Sequence, residues 1–211
     1  MRIDAHHSAN EQYTLAHLET ILKRNRFERS LYVGVPPHPL PDFVSGIIVP
    51  AGFPTNHPRV CGVQVATLAE VDLVPPDIPI DLDGLLPHIP MIAARFPGRT
   101  LVIDHLGFPA TESWPDDLAA AASLPNVVCK LSGLTRFGEA RPYVRHALTL
   151  FGPDRLMFGS DWPQALPAYT WKSNLAAFTQ AIGAQPIEVR EQLLGGTAAR
   201  VYNLQSSSEE S

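Results

Sequence analysis

The sequence predicts an α/β fold built on a parallel sheet, and three observations predict it. Short apolar runs rich in β-branched residues recur along the chain. They stay apolar instead of alternating with polar residues, as strands covered on both faces do. Segments of helical period fall between several of them.

The expected strands cover residues 2–5, 30–35, 44–49, 60–66, 70–74, 100–104, 126–131 and 155–158, bounded by Gly, Pro, Asp or Asn. Leu15, Leu18 and Leu22 mark one face of the first helix, with Thr14 as its N-cap and Lys23 and Arg24 near its C-terminal end. Residues 85–96 form a second, in which Pro87 and Pro90 confine regular helix to the later part. Further helices are expected over 114–123, 142–151, 169–182, 187–194 and 197–204, with Pro115 and Pro142 suited to first-turn positions.

Spacing adds a constraint. Strand starts at 100, 126 and 155 lie 26 and 29 residues apart, enough for a helix in between. Starts at 30, 44, 60 and 70 lie only 14, 16 and 10 apart. A crossover helix needs about 10–12 residues beyond the strand itself. Helices are therefore expected to be missing around strands 2–5, where residues 36–80 also hold many of the prolines. The 21 prolines in 211 residues are about twice the usual ~5% share.

Composition excludes several classes. The net charge is −5, which argues against a nucleic-acid surface. No apolar run approaches the roughly 18 residues of a membrane span. The first residues lack the apolar core of a signal peptide, so a cytoplasmic protein is expected. Cys61 and Cys129 are too few for a disulfide framework. There is no dinucleotide-binding Gly-x-Gly-x-x-Gly after a strand, no phosphate-binding loop and no Gly-x-Ser-x-Gly elbow, so no organic cofactor is expected. Residues 1–204 read as one domain, and the polar stretch 205–211 as a disordered tail.

Three polar clusters end strands: Asp4-Ala5-His6-His7, Asp104-His105-Leu106-Gly107 and Gly159-Ser160-Asp161-Trp162-Pro163. Catalytic groups of parallel α/β folds gather at the carboxyl ends of strands, because helices cover the other surfaces. Taken singly, each cluster also reads as a hydrogen-bonded turn. Together, imidazoles and carboxylates at one end of three strands suit a divalent metal or direct activation of water.

These clusters, with Lys130-Leu131-Ser132-Gly133-Leu134 and the run from Phe151 through Gly159-Ser160-Asp161-Trp162-Pro163, resemble the amidohydrolase-2 family, and within it the lactonase-like branch. The resemblance is strong from residue 96 onward and weak over 36–80. It implies a TIM-like (β/α)8 barrel, here shortened, that hydrolyses a small cyclic ester, amide or related carboxylic acid. It also implies roles. His6, His105 and Asp161 would hold a zinc or manganese ion. Alternatively, Asp161 would deprotonate water without metal while His105 or His6 polarises the carbonyl.

The chain departs from the family pattern at several places. The first strand of the family carries His-x-His, and Ser8 stands at the second position. Phe108 stands where the family often has Lys, Gln64 where it often has Arg, and Thr197 where it often has Asn. The departures motivate an alternative, a catalytically decayed barrel that binds a small acid or a partner protein. Lys130 lies within an apolar strand and is either ion-paired with a barrel carboxylate or directed at a substrate anion. Arg136 is a second candidate for that anion. Trp162 either walls the substrate pocket or packs in the core or rim. If the missing helices leave apolar strand surface open near Ile47, Ile48 and Val63, a homodimer would cover it.

Overall fold

The computed structural model describes residues 1–166 and 168–204, so the expected tail at 205–211 lies outside the described residues. Eight parallel strands follow one another in chain order around a nearly closed barrel. They are β1 (Ile3–His7), β2 (Arg29–Val33), β3 (Val44–Pro50), β4 (Val60–Val65), β5 (Ile80–Leu82), β6 (Leu101–Ile103), β7 (Val127–Ser132) and β8 (Leu156–Gly159). The ring joins at the ends of β8 and β1. There the N–H of Asp161 donates to the carbonyl of His6 (2.8 Å), and the N–H of Ser8 to that of Trp162 (2.8 Å).

Helices α1 (Leu15–Arg24), α2 (Ile89–Arg95), α3 (Trp114–Ala122), α4 (Arg141–Phe151) and α5 (Trp171–Ile182) pack outside the strands. Leu15, Leu18 and Leu22 are the buried face of α1, as their spacing predicts. Thr14 occupies the N-cap position, but its hydroxyl makes no capping bond. The chain closes with α6 (Ile187–Glu191), a π turn and α7 (Thr197–Val201). The π turn passes so near β1 that a Cβ on Gly195 would lie 2.4 Å from the carbonyl oxygen of Met1, so only glycine fits.

No helix lies between β2 and β3 or between β3 and β4, and only a 3-10 turn, Leu68–Leu73, lies between β4 and β5. That turn corrects the strand expected over 70–74. The Glu70 carboxylate accepts the N–H groups of Ala66 (2.7 Å) and Thr67 (3.0 Å), which fixes a helical turn and leaves Val71 and Val74 facing the core. The true fifth strand is Ile80–Leu82, between β4 and β6.

The expectation of open strand surface on this flank is also corrected. Ile47, Ile48 and Val63 are fully buried within the single chain. Leu40, Phe43, Phe53 and Leu68 from the loops pack against the core that holds Ile47 and Val63. Each such buried aliphatic side chain contributes about 1.5–3 kcal/mol. Inside the barrel a second cluster, including Ile3, Leu31, Ile48, Val102, Val128 and Met157, meets Tyr202 and Ala198 from the C-terminal end of the chain. Among the described residues no helix is long and apolar enough to cross a membrane.

Candidate active site

The site forms where β8 meets β1. Register shifts between Asp4 and His7, so the strand does not keep simple alternation. Ala5 joins the interior cluster. The Cβ of His6 also comes to the interior, lying 2.7 Å from where a Cβ on Gly159 would be. His7 faces the outer layer, its Nε2 2.8 Å from Ser30 Oγ and its ring edge-on to Tyr32. Asp4 also faces outward and ties the two strands together. It accepts the N–H of Ser160 (2.8 Å) and the indole N–H of Trp171 (2.7 Å). It is a positioning residue, not a member of the site.

His6, His105 and Asp161 come together as their strand-end positions predict. They are the group among the described residues whose side-chain donors could hold a metal ion, with one atom from each lying within 4.8 Å of the others. Nε2 of His6 and Nε2 of His105 each lie 3.8 Å from Oδ1 of Asp161. The two rings stand edge to face, 4.5 Å between centroids. His105 and Asp161 both have positive φ, 50° and 56°, in the left-handed region that non-glycine residues avoid. Strain of this kind gathers at functional sites.

The far nitrogens are held from behind. His105 Nδ1 lies 2.9 Å from Ser132 Oγ, and His6 Nδ1 lies 3.4 Å from Asp104 Oδ1. With Nδ1–H of His105 donating to Ser132 Oγ, the Nε2 lone pair of His105 faces Asp161. This is the tautomer that metal-binding imidazoles need, with the second nitrogen tied to an oxygen. Burial, reinforced by His6, holds the His105 imidazole well below its usual range, so it is a neutral ligand or base near pH 7. Burial pushes the Asp161 carboxyl up, against the pull of His6 and Arg136. Oδ2 of Asp161 accepts no well-formed hydrogen bond, although Nη2 of Arg136 lies 3.1 Å away. Two imidazoles, one carboxylate and an unsatisfied carboxylate oxygen fit a zinc or manganese ion.

Lys130 is fully buried below His6. Its ammonium pairs with Asp81, lies 2.9 Å from Asp104 Oδ1 and is 3.5 Å from His6 Nδ1. The structural half of the sequence reading holds. No part of Lys130 reaches the mouth, so the expectation that it binds a substrate anion is corrected. Burial opposes charge on Asp104, but Lys130 and then His6 outweigh it and hold its carboxyl well below the usual range. Asp81 is pushed up to about 6 by burial, despite the pull of Lys130. The Tyr202 hydroxyl donates to Asp81 (2.6 Å) and the Gln64 amide to Asp104 (2.8 Å).

Trp162 is buried to 3% exposure, edge-on to Tyr13, and packs as wall rather than offering a ring face to the mouth. Arg136 does reach the mouth, its side chain 35% exposed. Ser8 meets His7 only through its backbone carbonyl, 3.2 Å from His7 Nδ1, and its hydroxyl accepts from Gln164 (3.2 Å). Sequence reasoning named Ser132 only within the Lys130–Leu134 motif, without a role, and missed Asn174 and Tyr202. Ser132 was open to view, since it lies two residues after the inward-facing Lys130 and so shares its face. The other two reach the site across distant chain segments and carry no local signal.

Comparison with known proteins identifies the family and the fold. The profile of the amidohydrolase family matches residues 72–204. An L-fucono-1,5-lactonase of Burkholderia multivorans is 40% identical over 143 residues, covering 56% of this chain and 48% of that protein. A second L-fucono-1,5-lactonase, from Burkholderia ambifaria, is 41% identical over 90 residues, covering 37% of this chain and 31% of that protein. The chain thus spans about half or less of the length of these curated relatives. Among solved structures, a zinc-bound amidohydrolase from Burkholderia multivorans superposes with a TM-score of 0.81 at 22% identity, covering 97% of this chain and 100% of that one. A putative 2-pyrone-4,6-dicarboxylic acid hydrolase from Pseudomonas putida gives 0.70 at 18% identity, covering 98% of each. At these identities the likeness is one of fold.

Proposed function

The chain belongs to the amidohydrolase family, and from that premise we propose that it is a hydrolase that opens a small cyclic ester by attack of activated water. The observation that carries the reading is the convergence of His6, His105 and Asp161 at the mouth of the barrel. The sugar lactone named for its Burkholderia relatives supplies the substrate class.

Asp161 is the general base. Its carboxylate takes a proton from water, and the oxygen adds to the lactone carbonyl. The ring C–O bond then breaks, and the proton passes from Asp161 to the departing alkoxide oxygen. A raised carboxyl pKa suits this exchange, because a more basic carboxylate accepts the proton more readily. His105 and His6 hold the metal, or polarise the carbonyl from the ring tautomer that carries Nε2–H. A zinc or manganese ion bound by His6, His105 and Asp161 would acidify water and polarise the carbonyl oxygen. Arg136, at the rim, orients the carbonyl or an anionic group of the substrate.

Two of the family departures favour the hydrolase over the binding-only barrel. Gln64 donates to the carboxylate behind His6, and Phe108 packs its ring 5.3 Å from that of His105. Both support the site instead of emptying it. The test is a screen of sugar 1,5- and 1,4-lactones, L-fucono-1,5-lactone among them, with and without added zinc or manganese. Proton release on ring opening is the readout. Turnover above the spontaneous rate is expected. Tight binding of lactones or acids with no turnover of any of them would favour the decayed barrel.

A further inference from the structure

Arg136 reaches the site from a turn that folds back on itself. β7 ends at Ser132, which holds His105. Gly133 then takes a left-handed φ of 63°, and the N–H of Arg136 donates to its carbonyl (2.9 Å). Thr135 within the turn is anchored to Asn174 of α5, hydroxyl to amide oxygen, at 2.9 Å. A Cβ at Gly133 would lie 2.9 Å from Asp161 Oδ2 and 3.0 Å from Arg136 Nε. The missing side chain is thus the notch through which the guanidinium meets the carboxylate. Phe108 supports the arrangement from the other side, its ring centroid 5.6 Å from Arg136 Cζ.

We propose that Arg136 is an internal counter-cation that sets how tightly the His6–His105–Asp161 group takes a divalent metal. The inference rests on the reading of that group as a metal site. The two oxygens of Asp161 face different cations: Oδ1 faces the imidazoles and Oδ2 faces Arg136. A metal drawn to Oδ1 meets a carboxylate whose charge is already partly neutralised, with a guanidinium on its other oxygen. In a largely buried site the repulsion between those positive charges is weakly screened. Engagement of Oδ2 also leaves Asp161 one oxygen to offer. Three protein ligands then leave a position for water, as catalytic zinc sites require. The contact lacks hydrogen-bond geometry, so the arginine can yield to a substrate anion.

The experiment is zinc titration of metal-stripped protein against a chromophoric chelator, for the wild type, Arg136→Gln, Arg136→Lys and Asp161→Asn. Arg136→Gln is expected to bind zinc about tenfold more tightly than wild type, and the gap to persist at high salt. Arg136→Lys, which keeps the charge, is expected to stay within about threefold of wild type. If Arg136→Gln binds zinc equally or more weakly, the counter-cation role is overturned. In that case zinc binding by the wild type, lost in Asp161→Asn, keeps the metal site. Binding by none of the four proteins overturns both.

Discussion

The two flanks of this barrel are built differently. From β6 through β8 to β1, each crossover carries a helix, and His6, His105, Arg136 and Asp161 all come from this arc. From β2 to β5 the chain crosses with loops and one 3-10 turn. Yet the strands of that flank are just as dry: Ile47, Val49, Val63 and Val65 are all buried. Guanidinium groups take over part of what helix hydrogen bonds do elsewhere. Arg59 donates to the carbonyls of Pro41 (2.9 Å) and Val44 (3.1 Å), and Arg99 to those of Ile78, Val74 and Pro75. A helical layer is thus one way to cover a parallel strand, and a loop whose carbonyls are satisfied is another.

The trimmed flank is not inert toward the site. Gln64 of β4 and Asp81 of β5 point into the barrel and complete the Lys130 network beneath His6. The helical arc supplies His6, His105 and Asp161, and the trimmed flank supplies part of their foundation.

This division can be broken at either side. The largest effect is expected in the arc: His6→Ala and His105→Ala should each lower kcat/KM for lactone opening by about 10²–10⁴-fold, with circular dichroism unchanged. Next comes the foundation. Lys130→Met leaves Asp81 and Asp104 buried without their cation and should cost about 3–5 kcal/mol in urea unfolding. A loss under 1 kcal/mol would mean that the network is solvated or protonated. Arg99→Ala, on the trimmed flank, strips three carbonyls of a shared donor and should cost about 1–3 kcal/mol while leaving kcat/KM within twofold.

The smallest effect is one of pH. The folded protein raises Tyr202 well above 10.0, by burial and then Asp81. It also raises Lys130 above 10.5, where Asp104 and Asp81 outweigh burial. Both groups hold protons in the fold that the unfolded chain releases. Their contribution is present below about pH 10 and is lost as pH rises through the folded values. The urea midpoint should therefore fall above about pH 10, and less steeply in Tyr202→Phe.

How much of this was legible follows the same divide. In the arc, strands β6 to β8 are long or flanked by clear turn residues, and the site residues sit at their ends, so pattern alone placed His105 and Asp161. On the trimmed flank, β5 is three residues, Ile80–Leu82, flanked by Pro79 and Asp83. Only pairing with its neighbours makes it a strand, and no local period announces that. Residues 70–74 alternate as a strand would, pairing Val71 with Leu73, but the turn buries Val71 and Val74 and leaves Leu73 exposed. Partners such as Tyr202 to Asp81 join positions 121 apart, which a one-dimensional reading cannot pair. Arg136 was found as a cation, but its contact with Asp161 depends on the left-handed Gly133.

The central claim is that Asp161 performs the proton transfer at this mouth. The most direct test compares Asp161→Asn with wild type on a lactone substrate, in one buffer, with the melting temperature measured beside it. The account predicts that kcat/KM falls about a thousandfold or more while the fold persists. Activity retained within tenfold in a folded Asp161→Asn protein would contradict it.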